Sequence, residues 1–402
     1  VIPRRRIPLE WGDLADALRA PWVSTDAAAL QVAAFERAFA EAVGVPHAIA
    51  TASGRDALGL ILDGLGLVAG DELVIPAYTL GELVPLIRGR GIVPVPADVD
   101  PSSFNMTAGS VAARIGPRTR AVFVVHLLGA PCDIRGICAL ADAHGIAVVE
   151  DCAHAFGASV DGRPAGSFGR AALFSLEATK AVAAFGGGVM ATTDEGLAAA
   201  TRVRLAGRER REWPPVRKML LKFAEELAVR SPAYAIAARL MFSSHRAGGF
   251  DRLYRRAHDR VRGTAAAFSG FQARLGLRKL ERAAAARRRR LDAQWELLAR
   301  SLPPRFVAQR RGDFGEPAFY NFVARFLGDI GALRAAAQRH GLDLGIGAEV
   351  MDDTAAMLGF ADCPGAATAA AQAVLIPLYE GLSDRRLRQT IAILRRLAEE
   401  LE

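Results

Sequence analysis

Two short stretches of this 402-residue chain bring together side chains that could do chemistry jointly. One is Glu150-Asp151-Cys152-Ala153-His154; the other is Phe174-Ser175, then Thr179-Lys180, then Gly186-Gly187-Gly188. A pyridine-based electron sink needs a carboxylate at its ring nitrogen, because only the protonated ring draws electrons fully from a carbanion. It also needs a lysine that bonds the aldehyde carbon and, once displaced, carries a proton. Pyridoxal 5′-phosphate (PLP) is such a cofactor, with Lys180 as its lysine, Asp151 as its carboxylate and Ser175 as a phosphate ligand. Each residue alone has an ordinary reading: Asp151 as a turn or helix cap, Lys180 as a solvated cation, His154 as a satisfied histidine. Order and spacing together carry the argument. No metal site is expected.

Thr51-Ala52-Ser53-Gly54-Arg55-Asp56-Ala57-Leu58 reads as strand, tight turn and helix. Backbone N–H groups at such a turn, with a helix dipole behind them, can seat a phosphate. Many strand-to-helix turns use Ser-Gly for geometry alone, so this motif draws its weight from preceding Asp151 and Lys180.

Positioning these residues requires a doubly wound α/β unit. From residue 45 to 195, short β-rich runs alternate with helical stretches, as in a largely parallel sheet. The predicted strands are His47 to Thr51, Glu72 to Ile75, Ile92 to Val95, Ala121 to Val125, Ala147 to Val149, Ala171 to Ser175 and Gly188 to Thr192. In this order Asp151 and Lys180 follow strand ends at a crevice-forming edge. A long helix is predicted from Ser269 to Arg300, stopped by Pro303-Pro304, with Arg287 to Arg290 as a solvated face. A smaller α+β unit follows from about 305 and closes with a helix over Asp384 to Glu400. The predicted division is 1–262 and 263–402, in keeping with the limit on single cores near ~250 to 300 residues.

Composition narrows the function classes. The net charge is +8, but residues 213–262 hold eleven Lys and Arg against four Asp and Glu, a net +7, so the remainder is almost neutral. No zinc knuckle, helix-turn-helix or aromatic-basic stripe accompanies the basic block, which argues against nucleic-acid binding. The start, Val1 to Pro8, has charge with no apolar stretch behind it and reads as neither secretory signal nor membrane span. Four cysteines without a CxxC pair suit reduced thiols in a cytoplasm. Within the basic block, Met219 to Leu227 and Tyr234 to Phe242 are apolar at helical spacing. They suit a helix lying in a membrane interface, reaching a lipid-linked substrate, or else one packing into the core or a dimer.

Many ordered motifs make the chain resemble the DegT/DnrJ/EryC1/StrS aminotransferases. They are Ser53-Gly54 with Ala57-Leu58, Gly70-Asp71-Glu72 through Pro76 with Thr79, Asp98-Val99-Asp100, Thr119-Arg120-Ala121, His126 through Gly129, Glu150-Asp151 with Ala153-His154, Gly166-Ser167, Phe174-Ser175 with Thr179-Lys180, and Leu375 through Tyr379. The likeness covers residues 20 to 208 closely and 265 to 402 more loosely. It implies an aspartate-aminotransferase-like PLP fold of type I, with a mostly parallel seven-stranded sheet in the large domain and a smaller α+β C-terminal domain. It also implies a homodimer and amino transfer from an amino acid, glutamate, to a keto sugar linked to a nucleotide. By resemblance Lys180 is the Schiff-base lysine, Asp151 the partner of the pyridine nitrogen, Ser175, Ser53 and Gly54 phosphate ligands, and His154 a contact near the ring O3′.

The chain departs from that pattern at four places. Leu80 stands where an aromatic covers the ring, Arg55 where a Thr follows Ser-Gly, and Gly186 where a Glu precedes the paired glycines. Ala265-Ala266-Ala267 stand where an Asn-Tyr-Arg segment of a partner approaches the phosphate. Arg55 is expected to replace the missing Asn as a phosphate donor. Gly345 to Asp353 replaces the usual substrate-side motif, with Asp352 or Asp353 capping a helix or facing substrate hydroxyls. The rival readings are an aminotransferase on a lipid-linked or non-sugar ketone at a membrane, or a non-catalytic PLP-fold binding protein. A sugar dehydratase of the same family lacks the Schiff-base lysine, which Lys180 argues against.

Overall fold

The computed structural model describes residues 1–7, 10–230, 266–282 and 285–401. Along the chain run α1 (Trp11–Arg19), α2 (Thr25–Val43), β1 (His47–Thr51), α3 (Gly54–Gly64), β2 (Glu72–Pro76), β3 (Tyr78–Thr79), α4 (Leu83–Arg88), β4 (Val93–Ala97), α5 (Ala108–Ala112), β5 (Thr119–Val125), α6 (Ile134–His144) and β6 (Ala147–Asp151). Then come β7 (Ser159–Val160), β8 (Arg163–Pro164), β9 (Ala171–Ser175), β10 (Gly188–Thr192), α7 (Glu195–Leu205), α8 (Trp213–Arg230), α9 (Gly270–Arg282) and α10 (Ala285–Ser301). The remainder comprises β11 (Phe306–Ala308), β12 (Phe322–Phe326), α11 (Ile330–Arg339), β13 (Gly345–Ile346), β14 (Asp352–Asp353), α12 (Thr354–Leu358), α13 (Pro364–Gln372), β15 (Ala373–Ile376) and α14 (Asp384–Glu400).

The large sheet has seven strands in the order β1-β10-β9-β6-β5-β2-β4. The strands from β9 through β4 are mutually parallel, while β10 runs antiparallel to both β9 and β1. Two reversals restore direction, so β1, β9 and β6 all end at one edge of the sheet. That edge gathers the Ser53 turn, Ser175 and Asp151. Val, Ile, Leu and Phe fill the central strands because both faces are covered by helices. The core built on them includes Leu73, Val74, Val122, Phe123 and Val149, all fully buried or nearly so.

A second sheet, β11-β12-β15-β13, is wholly antiparallel and carries its own core of Phe306, Phe322, Phe326, Leu333 and Leu394. β14 leaves this unit to pair with β3 of the large one, Asp352 opposite Thr79.

All seven predicted strands are present, with β4 and β6 each reaching two residues further than expected. Asp151 is therefore the last residue of its strand. The predicted continuous helix from Ser269 is described as α9 and α10, residues 283–284 lying outside the described set. α8 forms as expected, but its apolar residues divide. Val216 and Met219 are buried in the core beside α2 and α9, whereas Leu220, Leu221 and Leu227 are exposed. The expected second apolar stretch, Tyr234 to Phe242, and the basic tail to Arg262 lie outside the described residues.

Candidate active site

Asp151 and Ser175 end neighbouring parallel strands, and Lys180 follows in the loop after β9. The Asp151 carboxylate is 9% exposed, and Ala153 N–H donates to its Oδ1 at 2.8 Å. Its other oxygen has no hydrogen-bond partner among the described residues. Burial pushes this carboxyl up, offset in part by the Ala153 N–H and by the charge of Lys180, and the net direction is upward. A buried carboxylate with an uncommitted oxygen suits a cationic donor. A protonated pyridine nitrogen is such a donor.

The glycine run after Lys180 is a packing requirement. Gly186 and Gly187 have φ of 131° and 92°, outside what L side chains readily adopt. A Cβ on Gly188 would stand 2.4 Å from the Ser53 carbonyl carbon. Glycine there lets the start of β10 press against the Ser53 turn, which it meets in a Ser53–Gly187 bridge. Ser53 caps α3, its Oγ accepting Asp56 N–H at 3.1 Å, and Asp56 in turn accepts Ala52 N–H and pairs with Arg208. The turn is thereby held with the N-terminus of α3 next to Ser175, whose hydroxyl makes no hydrogen bond to the described residues. These donors fit a phosphate.

Lys180 Nζ donates to the Tyr320 hydroxyl at 3.1 Å. The Tyr320 ring stacks on His154, with centroids 3.9 Å apart and planes 16° from parallel. Burial would raise the Tyr320 phenol, but the positive charges of Lys180 and Arg5 outweigh it and leave the group below its ordinary value. Burial, then Lys180 and Arg5, hold His154 well below the ordinary histidine range. His154 is accordingly neutral: its Nδ1 accepts Leu128 N–H at 3.3 Å, which leaves the proton on Nε2.

Behind Asp151, strand alternation turns Glu150 to the opposite face. Its oxygens accept N–H groups of Gly166 (2.8 Å), Phe168 (2.7 Å) and Gly169 (2.7 Å), and His126 Nε2 lies 3.0 Å away. Cys132 N–H donates to His126 Nδ1, so the single ring proton sits on Nε2 and points to Glu150. His126, Glu150 and Cys152 have potential ligand atoms within 4.8 Å of one another. Both carboxylate oxygens are filled by N–H donors, so the group holds the loop 166–169 and leaves little for an ion. Burial raises the Cys152 thiol to about 12, which keeps it from acting as a nucleophile.

Arg55 pairs with Glu82, both partners being partly exposed. Leu80 follows β3 and is 41% exposed; the next N–H, of Gly81, donates to Asp352 Oδ2 at 2.8 Å. Asp353 caps α12 through Ala356 N–H. Of the Ala265 to Ala267 segment, Ala267 bridges to Arg210, and Ala265 lies outside the described residues. Sequence reasoning passed over Tyr320 and quoted His126 only within a motif, without a role. A polar-tipped aromatic in Phe319-Tyr320-Asn321 just before β12 was the available signal for Tyr320.

The model of the DegT/DnrJ/EryC1/StrS aminotransferase family matches residues 9–395. GDP-perosamine synthase of Caulobacter vibrioides is 40% identical over 186 residues, covering 45% of this chain and 50% of that protein. UDP-N-acetyl-3-dehydro-alpha-D-glucosamine 3-aminotransferase of Acidithiobacillus ferrooxidans is 42% identical over 165 residues, covering 41% and 45%. The matches thus span about half the length of these curated relatives. Over the whole fold, the chain is similar to DesI, solved in the presence of its TDP-sugar product. The TM-score is 0.74 at 28% identity, covering 99% of this chain and 92% of that one.

Proposed function

Because the chain belongs to the DegT/DnrJ/EryC1/StrS aminotransferase family, we propose that it is a PLP-dependent aminotransferase moving an amino group from an amino acid, L-glutamate, to a keto sugar carried on a nucleotide. The observation that carries this reading is the convergence, at one sheet edge, of Lys180 with a buried carboxylate and a serine hydroxyl that, among the described residues, leave one carboxylate oxygen and the hydroxyl without hydrogen bonds.

When bound, PLP supplies the electron sink that allows the Cα–H bond of an amino acid to break. Asp151 holds the proton on the ring nitrogen. Ser175 and the Ser53-Gly54 turn bind the phosphate, and Arg55 would exchange Glu82 for it. His154 offers its Nε2–H toward the ring oxygen, and Leu80 covers a ring face. Lys180 Nζ would carry the proton away from the Cα of the donor, and the Tyr320 hydroxyl, 3.1 Å from it, would position that amine. Amino transfer then balances: glutamate leaves as its keto acid and the ketone leaves as an amine.

The purified protein is expected to absorb in the visible, to bleach with L-glutamate, and to yield after borohydride reduction a cofactor-bearing peptide containing Lys180. A label on Lys218, Lys222 or Lys279 would sink the assignment. The reading includes a large domain over 1–262, a smaller one over 263–402, and a cytoplasmic homodimer. It also includes peripheral membrane contact through 213–262, supported by the exposed Leu220, Leu221 and Leu227 beside basic residues. No helix among the described residues is long and apolar enough to cross a membrane. Co-flotation with anionic vesicles, lost on deleting 216–245, tests the contact; wholly unbound protein at low salt removes it.

A further inference from the structure

Different parts of the chain hold Lys180 at its tip and at its root. Its tip, Nζ, bonds the Tyr320 hydroxyl. Its root is the loop between β9 and β10, which closes on itself through backbone hydrogen bonds. Leu176 N–H donates to Gly187 O at 3.0 Å, Ala184 N–H to Leu176 O at 2.9 Å, and Lys180 N–H to Glu177 O at 2.9 Å. Leu176 and Ala178 are buried, and the Glu177 side chain between them reaches α8. There Lys218 Nζ donates to Glu177 Oε2 at 2.7 Å, while Glu177 Oε1 accepts Ala178 N–H at 2.9 Å. One carboxylate thus joins a helix residue 41 positions away to the backbone just ahead of Lys180.

Lys218 is itself firmly placed. Val216 and Met219, which flank it in α8, are buried in the core that also holds Leu176 and Ala178. Just before the helix, Glu212 accepts Gly270 N–H and Phe271 N–H, each at 2.7 Å, which ties the start of α8 to the start of α9. A Cβ on Gly186 would lie 4.0 Å from Lys218 Nζ, so the glycine run passes beside the pair. Burial pushes the Glu177 carboxyl up, but the Lys218 ammonium, the Ala178 N–H and the charge of Lys180 more than reverse this, and the group is ionised.

The Glu177 and Lys218 side chains are 44% and 28% exposed. A pair this open to water adds little to folding, because solvent screens the attraction. Its consequence is local. Reaction at a positioned group depends so steeply on geometry that a displacement of about 1 Å costs about a hundredfold in rate. Resting on the proposed aminotransferase reading, we propose that Lys218 and Glu177 are positioning residues: through their ion pair, α8 fixes the loop that presents Lys180 Nζ to the reacting carbon, and neither side chain touches substrate or cofactor.

The test compares the full-length protein with Lys218→Met, Glu177→Gln, the double variant and Lys218→Arg. Single-turnover loss of the visible band gives the rate and the affinity for L-glutamate. Amide hydrogen exchange of the peptide containing Ala178 and Lys180 gives the order of the loop. Lys218→Met and Glu177→Gln should each slow the half-reaction about ten- to a hundredfold, with glutamate affinity and the thermal transition nearly unchanged, and should speed exchange of that peptide about tenfold. The double variant should fall no further than either single one, the mark of residues acting as a unit. Lys218→Arg, which keeps the charge and the reach, should recover most of the rate. An unchanged rate, unchanged exchange, additive losses in the double variant, or a loss of glutamate affinity or thermal stability that accounts for the slower rate overturns the proposal. If the wild type shows no visible band or no response to glutamate, the aminotransferase reading fails, and exchange of the Lys180 peptide across the same variants still decides whether the pair fixes that loop.

Discussion

Replacing Glu150 by Gln should destabilise the protein severely although it changes a single atom. Oε1 accepts two N–H groups, from Phe168 and Gly169; Oε2 accepts Gly166 N–H and faces His126 Nε2. Whichever way the amide is turned, its NH2 meets a pair of donors. Turning His126 into its other tautomer relieves one clash but sets an Nδ1–H against Cys132 N–H, so the conflict moves without disappearing. Two buried donors left unmet cost about 1 to 3 kcal/mol each, and the remaining bonds lose their ionic strength, for a total of about 3 to 6 kcal/mol. Domain stabilities are about 5 to 15 kcal/mol, so the change consumes a large part. Urea unfolding at fixed PLP concentration, followed by far-ultraviolet circular dichroism, gives the difference. A loss below about 1 kcal/mol would refute the claim that these four donors hold a carboxylate.

Four further outcomes are expected. Stability should fall on the acid side. Burial raises the Glu150 carboxyl, but the His126 bond and the backbone donors more than reverse this and leave it depressed. Its contribution is therefore present above the unfolded value near ~4.3 and lost as pH falls through the folded one; Glu150→Gln should flatten that limb in a urea-midpoint series, and an unchanged limb contradicts it. Asp151→Asn should retain the fold and lose several orders of magnitude in turnover, since an amide cannot hold the pyridinium proton; near-normal rates would assign the ring to another carboxylate. Tyr320→Phe should keep the visible band and slow the glutamate half-reaction about tenfold, the worth of one positioning hydrogen bond, and an unaltered rate and pH profile would remove Tyr320 from the mechanism. Arg55→Thr should weaken PLP by about 1 to 3 kcal/mol in equilibrium dialysis; unchanged affinity leaves Arg55 to Glu82.

The strands were legible because each is a contiguous apolar run bounded by Gly, Pro or Asp, and burial on both faces makes such runs dense. The closing helix Asp384–Glu400 was legible to the residue, since Ser383 caps it and Leu387, Ile391, Leu394 and Leu397 repeat at helical spacing on its buried face. The division of the α8 apolar residues was not. Helical spacing identifies a stripe, but which part of it meets α2 and α9 depends on elements distant in sequence.

What the sequence determined by itself was the local chemistry: a serine cap before a helix, a carboxylate closing a strand, a lysine ahead of glycines. Each depends on a few adjacent residues, and their order was enough to suggest the cofactor proposed for them. Tertiary structure decided which residues join them. Tyr320 reaches Lys180 from 140 residues away, and Asp352 reaches Gly81 from 271. Such contacts leave no periodic trace, because a single side chain crossing between two cores needs only the right place in space.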